Sequence, residues 1–327
     1  MVQRRQFLGQ STALAAAPAL AATAALWGSS AQAQEVLRII VGYPPGGATD
    51  RVARIVADKL QAETGQSVIV ENKVGAGGRV AAQFVKNASA NQPVLMLANP
   101  AVMVVAPLVV NDLGYDAEKD FVPVSEVNSY VFGVAVSSAV PVKELPHLLA
   151  WLKANPAQAN IGVPATGSLP HFFALMLGQQ AQVRVEAVGY KGSAPLLTDL
   201  MGGQIPVAVD TLDTLVQQHQ AGKLRILAVS GDTRSDLVPQ VPTLKEAGTN
   251  LSAAGWNTFF APKSMPAAQV QRYSAAIQKV MKDPEVLKQF KSNFLDPVQA
   301  SAAQTQQRLQ AYKKQWAPVI RDSGYRP

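Results

Sequence analysis

The chain has 327 residues, no cysteine and a formal net charge of +7, which excludes disulfides and thiolate metal centres and leaves room for two cores of ordinary domain size. Its basic residues are scattered (Lys143, Lys153, Lys191, Lys223 and Arg225 among them) rather than gathered into a stripe interleaved with aromatics, so no nucleic-acid partner is expected. A mildly positive field favours anionic solutes instead.

Residues 1–33 read as an export signal. Arg4 and Arg5 give a positive start, residues 13–27 are almost wholly apolar, and Ala31-Gln32-Ala33 supplies a small-x-small cleavage pattern. Arg4-Arg5-Gln6-Phe7-Leu8 also resembles a twin-arginine signal, which leaves the export route open. No later run approaches the roughly 20 apolar residues that a membrane span needs. The mature chain is expected to begin near Gln34 and to reside in the periplasm.

From there, β-rich runs alternate with helical ones. Val36 to Val41 reads as a buried strand, and Val52, Ile55, Val56 and Leu60 then mark one face of a helix that Gly65 ends. Val68 to Val70 is the next strand, residues 79–88 a helix, and Val94 to Ala98 a third strand. This βαβαβ order predicts a parallel sheet with helices on both faces. A second α/β series starts near residue 144, with Leu145, Leu148, Leu149 and Leu152 on a helix and strands at 160–163, 183–188, 205–209 and 224–229. Residues 266–323 read as mostly helical, broken near Asp283-Pro284 and Asp296-Pro297. Because the first series is short of helices, the expected layout is a first lobe built from both chain ends, with a second lobe inserted between. The boundaries are 34–135 and 233–327 for the first lobe and 136–232 for the second.

The segment Gly42-Tyr43-Pro44-Pro45-Gly46-Gly47-Ala48-Thr49-Asp50 joins strand to helix at the carboxyl edge of the first sheet, where open α/β folds bind ligands. Its glycines admit a close backbone approach, and the helix start offers unpaired N–H groups and a partial positive charge. From spacing alone it fits equally well a plain turn in which Thr49 or Asp50 caps the helix. A second turn, Gly75-Ala76-Gly77-Gly78, follows the next strand, but Val80 stands where a dinucleotide fingerprint needs glycine, and no phosphate-loop pattern occurs. Two such turns without a nucleotide signature suit a backbone-lined pocket.

Catalytic and metal patterns are scarce. His147, His171 and His219 are isolated, and neither a zinc-binding H-E-x-x-H nor a G-x-S-x-G elbow is present. His171 stands out because it follows Thr166-Gly167-Ser168 at a strand-to-helix turn of the second series. Asp210 and Asp213 flank a later strand end, with helix capping the expected role of Asp213. No arginine precedes Asp50 in the first turn, and Arg51 follows on a helix that can turn it away.

Taken together, Pro45-Gly46-Gly47 with Thr49-Asp50, Val70-Glu71-Asn72 leading to Gly75–Gly78, and Tyr115-Asp116 with Asp120 to Val124 carry a resemblance. It continues through Tyr190-Lys191-Gly192-Ser193-Ala194-Pro195, Asp199-Leu200 with Gly202-Gly203-Gln204, Leu224-Arg225, Val241-Pro242-Thr243, and Trp256 with Ala261-Pro262. The order and spacing resemble the receptor proteins of tripartite tricarboxylate transporters over nearly the whole mature chain.

That resemblance implies a two-lobed α/β binding-protein fold of type II kind, each lobe a mostly parallel sheet flanked by helices. The ligand would lie in the cleft between the lobes. It further implies a small carboxylate held at Tyr43 to Asp50 by backbone groups and water, with Asp50 meeting a polar group on the ligand. The chain departs from the family where Val163 replaces a common serine, Ala165 a common glycine and Gly189 the usual proline. Asn91-Gln92-Pro93 also replaces a usual Asp-Gly-Tyr. Val163 would remove a hydroxyl from the pocket wall.

The expected ligand contacts are Tyr43, Pro45, Gly46, Gly47, Thr49, Asp50, Ala98, Asn99, Thr166, Gly167, Ser168, His171, Tyr190 and Asp210. The expected function is a periplasmic receptor for a small organic carboxylate or related polar metabolite. It would be monomeric, carry no cofactor or metal, perform no enzymatic reaction, and serve membrane permease subunits. The rivals are an exported α/β enzyme using the same cleft and an orphan receptor feeding a sensor.

Overall fold

The computed structural model describes residues 36–325, and the expected signal at residues 1–33 lies outside them. β1 (Leu37–Val41), β2 (Val68–Asn72) and β3 (Val94–Ala98) run parallel in the order β2-β1-β3. Between them stand α1 (Ala48–Thr64) and α2 (Arg79–Lys86), so the expected βαβαβ unit is present. Strand periodicity builds two cores at once: Leu37, Ile39 and Val41 enter one, and Ile40 enters the other on the opposite face. α1 ends where Gly65 takes a φ of 67° and donates its N–H to the Gln61 carbonyl.

After β3 a π-helical turn (Ala101–Val105) runs into α3 (Ala106–Val109). The chain then forms β4 (Phe121–Ser137), a 17-residue strand of which the sequence reading singled out only the first residues, as a motif. The second series follows as α4 (Leu145–Ala154), β5 (Asn160–Val163), α5 (Leu169–Ala181), β6 (Glu186–Gly189), α6 (Ser193–Met201), β7 (Val207–Thr211), α7 (Leu212–Gln220) and β8 (Leu224–Val229). The strand expected from residue 183 starts only at Glu186, because α5 runs on to Ala181 and closes through a left-handed Gln182.

Next comes β9 (Ala254–Pro262), which the sequence reading did not assign. It lies antiparallel between β3 and β4 and completes the first half of the sheet. Phe121 to Val131 of β4 pair with β9, whereas Phe132 to Val136 pair with β7, and Gly133 to Ser137 pair with β8 along the other edge. One strand therefore belongs to both halves of a curled sheet ordered β2-β1-β3-β9-β4-β7-β5-β6.

The C-terminal helices are α8 (Ala267–Val280), α9 (Pro284–Ser292) and α10 (Ala302–Asp322). Asp283 caps α9 by accepting from the Glu285 N–H at 2.8 Å. Asp296-Pro297 does more than interrupt a helix: it forms β10 (Asp296–Pro297), paired with β4. α8 packs Tyr273 and Ile277 into the core that also holds Val56 and Leu60 of α1. Each fully buried side chain of this size contributes about 1.5–3 kcal/mol. α10 begins over the first half, where Thr305 accepts from the Glu126 N–H at 3.1 Å. It ends with Trp316 and Ile320 in the core of the second half.

Candidate functional site

The segments that follow β1 and β7 meet where the two halves join, through Arg51 and Asp213. In the first, Gly42 is required by packing, since a Cβ there would stand 2.6 Å from Gly78 Cα of the second glycine turn. Gly46 takes a φ of 80°, and Gly47 occupies the N-cap of α1 with an ordinary φ of −68°. Among the described residues no side chain accepts from the Ala48 or Thr49 N–H. The positive end of a 17-residue helix is thus open toward the junction.

The residues around this turn hold it rather than close it. Asp50 is buried and accepts from Gly46 N–H (2.8 Å), Arg54 Nε (2.9 Å) and Nη2 (3.1 Å), and Asn72 Nδ2 (2.8 Å). Burial opposes its charge, but the bonds from Arg54, Asn72 and Gly46 together outweigh it and hold the carboxyl below its ordinary range. Asp50, expected to meet the ligand, has its oxygens taken up here by groups that shape the turn. Thr49 likewise points inward, donating to Asn257 Oδ1 at 3.1 Å, while Asn257 donates to Asn128 Oδ1 at 2.9 Å.

Tyr43 donates its phenol to Asn99 Oδ1 at 2.9 Å, and its carbonyl accepts from Asn72 Nδ2 at 2.9 Å. Burial pushes the Tyr43 hydroxyl up to about 12. Ala98 is buried at the end of β3, and Pro45 and Gly46 are exposed at the turn tip.

In the second half, Gly167 adopts a φ of 76° and donates its N–H to His171 Nδ1 at 3.0 Å. Burial lowers the His171 pKa, so the ring is neutral at pH 7 and carries its proton on Nε2. The ring packs 5.1 Å from Phe172 and edge-on, 5.0 Å, to Tyr325. Ser168 donates to the Ala165 carbonyl at 2.7 Å, and Tyr190 to Asp199 Oδ2 at 2.9 Å. Thr166 explains one departure from the family: a Cβ on Gly189 would stand 2.0 Å from its Oγ1, so the usual proline could not fit. Val163 is a correction of the opposite kind. It is fully buried with Ile161 and Phe172 in the second core, so its exchange for serine alters the core and not a pocket wall.

The two halves are tied by residues that the sequence reading set aside. Arg51 does not turn away: its guanidinium donates to the Gly46 carbonyl at 3.0 Å and reaches Asp213 Oδ2, on α7, at 3.4 Å. Asp213 therefore joins the halves while it also accepts from backbone N–H groups in the first turn of α7. Next to it, Asp210 accepts from the Thr211 N–H through Oδ1 at 2.7 Å, while its buried Oδ2 has no partner among the described residues. Burial pushes the Asp210 carboxyl up to about 7, with the Asp213 charge adding to the shift.

Tyr130, which the sequence reading did not single out, sits on β4 at the changeover from β9 pairing to β7 pairing. Among the described residues no group of three His, Asp or Glu side chains is placed to hold a metal ion.

Comparison with known proteins agrees with this architecture. A family model described as tripartite tricarboxylate transporter family receptor matches residues 52–325. A protein of Cupriavidus necator is 31% identical over 307 residues, covering 93% of this chain and 92% of its own. Protein BugT of Bordetella pertussis is 29% identical, covering 88% and 89%. Among solved structures, one described as a periplasmic transporter shares 33% identity with a TM-score of 0.80, covering 90% of this chain and 99% of its own. Rpa4515 of R. palustris, solved with adipate, shares 28% identity with a TM-score of 0.82 and covers the same shares.

Proposed function

We propose that this chain, which belongs to the tripartite tricarboxylate transporter receptor family, captures a small organic carboxylate between its two lobes in the periplasm. The observation that carries the reading is the uncapped start of α1 behind Gly46-Gly47, facing the second half across the Arg51–Asp213 contact. Free N–H groups at a helix start attract a carboxylate without a dedicated cation. The adipate held by the R. palustris relative supports the ligand class.

The first lobe takes 34–135 with most of 233–327 and the second 136–232, hinged at β4 and at the segment after β8, with Leu244 to Ala253 and the end of α10 packing into the second-lobe core. The ligand carboxylate meets the α1 start and the backbone of Gly46 and Gly47. Asp50, Arg54 and Asn72 position that turn, and Tyr43 and Asn99 flank it. Thr166, Gly167 and Ser168 close from the second lobe, with neutral His171 fixing the Gly167 N–H. An enzymatic reading lacks support from these side chains, because His171 Nδ1 is occupied by the Gly167 N–H and so is not free to act as a base. The closed form is then presented to membrane permease subunits.

The direct test is a thermal-shift screen of residues 34–327 against carboxylates and amino acids. A ligand at 100 times its Kd stabilises the protein by about 2.7 kcal/mol, and a flat response across all carboxylates refutes the reading. Small-angle scattering of the same protein should report a monomer whose radius falls on ligand addition. Mass spectrometry of periplasmic extract should find the chain starting at Gln34, and an intact N-terminus in the membrane fraction refutes export and cleavage.

A further inference from the structure

α10 serves both halves of the molecule. Near its start, Ser125 donates its hydroxyl to the Ala300 carbonyl at 2.8 Å and Thr305 accepts from the Glu126 N–H at 3.1 Å, which fixes the helix against β4. Further on, Leu309 and Tyr312 pack against the core of Trp256 and Phe260, and Trp316 and Ile320 then enter the core of the second half. At about 1.5 Å per residue, its 21 residues are long enough to run from one core to the other.

Where the helix ends, Gly324 takes a φ of 67° and turns the chain back. Ser323 Oγ accepts from the Tyr325 N–H at 3.2 Å and donates to the Ile320 carbonyl at 2.6 Å, so Tyr325 is carried on a fixed backbone. Its ring lies against the second-lobe turn. A Cβ on Gly167 would stand 2.9 Å from the Tyr325 hydroxyl oxygen and 3.1 Å from its Cε1, so the ring fills the space that a side chain at position 167 would need. The same ring meets His171 edge-on at 5.0 Å and Phe172 at 5.7 Å, in the edge-to-face geometry that aromatic rings favour. His171 is thereby walled by two rings while its Nδ1 accepts from the Gly167 N–H at 3.0 Å. A left-handed glycine tied by one hydrogen bond keeps its shape only while the acceptor ring stays in place. Tyr325 is what keeps the imidazole there from the side of the C-terminal segment.

We infer that Tyr325 is a positioning residue for ligand capture: from the end of α10 it braces Gly167 and His171, and so holds the Thr166–Ser168 turn in the shape that closes on the ligand. The inference rests on the receptor reading above and adds to it a residue that acts through the turn. Because α10 is anchored on β4 as well, the shape of this second-lobe turn is tied to the other half of the molecule.

The test uses residues 34–327 and compares Tyr325→Ala, which removes the ring, with Tyr325→Phe, which keeps it. Hydrogen exchange is read first, without ligand. The Gly167 amide should exchange at least about tenfold faster in Tyr325→Ala and within about twofold of native in Tyr325→Phe, while the amides of β5 keep their native rates in both. Calorimetry then uses succinate, adipate, citrate and glutamate as probes. For whichever of them the native protein binds, Tyr325→Ala should lose about tenfold, equivalent to about 1.4 kcal/mol, and Tyr325→Phe should stay near native. A native Gly167 rate or native affinity in Tyr325→Ala overturns the inference, as does an equal loss in both variants. Faster exchange throughout the second lobe overturns it too, since that marks a general packing role. Tyr325→Leu, which keeps apolar bulk without a ring edge, replaces the alanine variant if that one fails to fold, and the same readings apply. A native protein that binds none of the four probes counts against the receptor reading, whereas the ligand-free exchange comparison still decides whether Tyr325 braces the turn.

Discussion

Gly47 offers the sharpest probe of the first-lobe turn. Its φ of −68° and ψ of 165° are open to any L-residue, so alanine brings no backbone strain. An added Cβ would meet only the Pro44 carbonyl, at 3.3 Å, and otherwise enter open space in front of the helix start. The cost to folding is therefore that of a poorer N-cap. Glycine is a better N-cap than alanine, by about 0.5–1 kcal/mol, which for a domain of this size lowers the melting temperature by roughly 1–4 °C. The cost to binding is larger, because the methyl group stands between the Ala48 and Thr49 N–H groups and the carboxylate. Gly47→Ala should lose at least about tenfold in affinity, or about 1.4 kcal/mol. Titration calorimetry and a melting curve on one sample measure both effects. A folded variant with native affinity would move the carboxylate site away from α1, and with it most of the reasoning above.

Two other expectations follow from the junction. Arg51→Ala and Asp213→Ala should each weaken carboxylate binding about two- to fivefold, with the double variant no worse than either, since a partly exposed pair is worth about 1 kcal/mol at most; additive losses would show that the residues act separately. Asp210 titrates in the folded state at about 7, against about 3.9 for an ordinary aspartate. Between those values the folded form holds more protons than the unfolded one, so stability falls as pH rises. Asp210→Asn stays neutral, and its melting temperature relative to native should therefore rise by several degrees from pH 5 to pH 8. A constant difference across that range would contradict the assigned burial.

What the sequence disclosed, and what it hid, divides along local and non-local lines. The βαβαβ unit was legible because strand alternation and the Val52–Leu60 stripe are written in consecutive residues, and Gly65 and Pro284 mark helix ends by local chemistry. β9 was hidden because Trp256 to Pro262 pairs with strands more than a hundred residues earlier, and nothing in its own composition states that pairing. β4 was hidden by its length and by Pro123. The site shows the same division. Gly46, Gly47, Gly167 and His171 are visible as turn chemistry, whereas Arg51 and Asp213 acquire meaning only when two distant helices face each other.

The placement of β9 has a consequence for how the chain reaches this state. β3 gains its second neighbour only when residues 254–262 arrive, after the whole second series has been synthesised. Until then the Met96-Leu97-Ala98 edge offers unpaired backbone groups and apolar side chains, the kind of border that recruits foreign strands. Contacts so remote in sequence also form slowly, since a long loop must close before they repay its entropy. An incomplete chain lacking β9 is therefore aggregation-prone, however well its N-terminal βαβαβ unit folds. During biogenesis the dangerous interval is the one between completion of β3 and delivery of β9, and a chaperone or a continuously unfolded passage would have to cover that span.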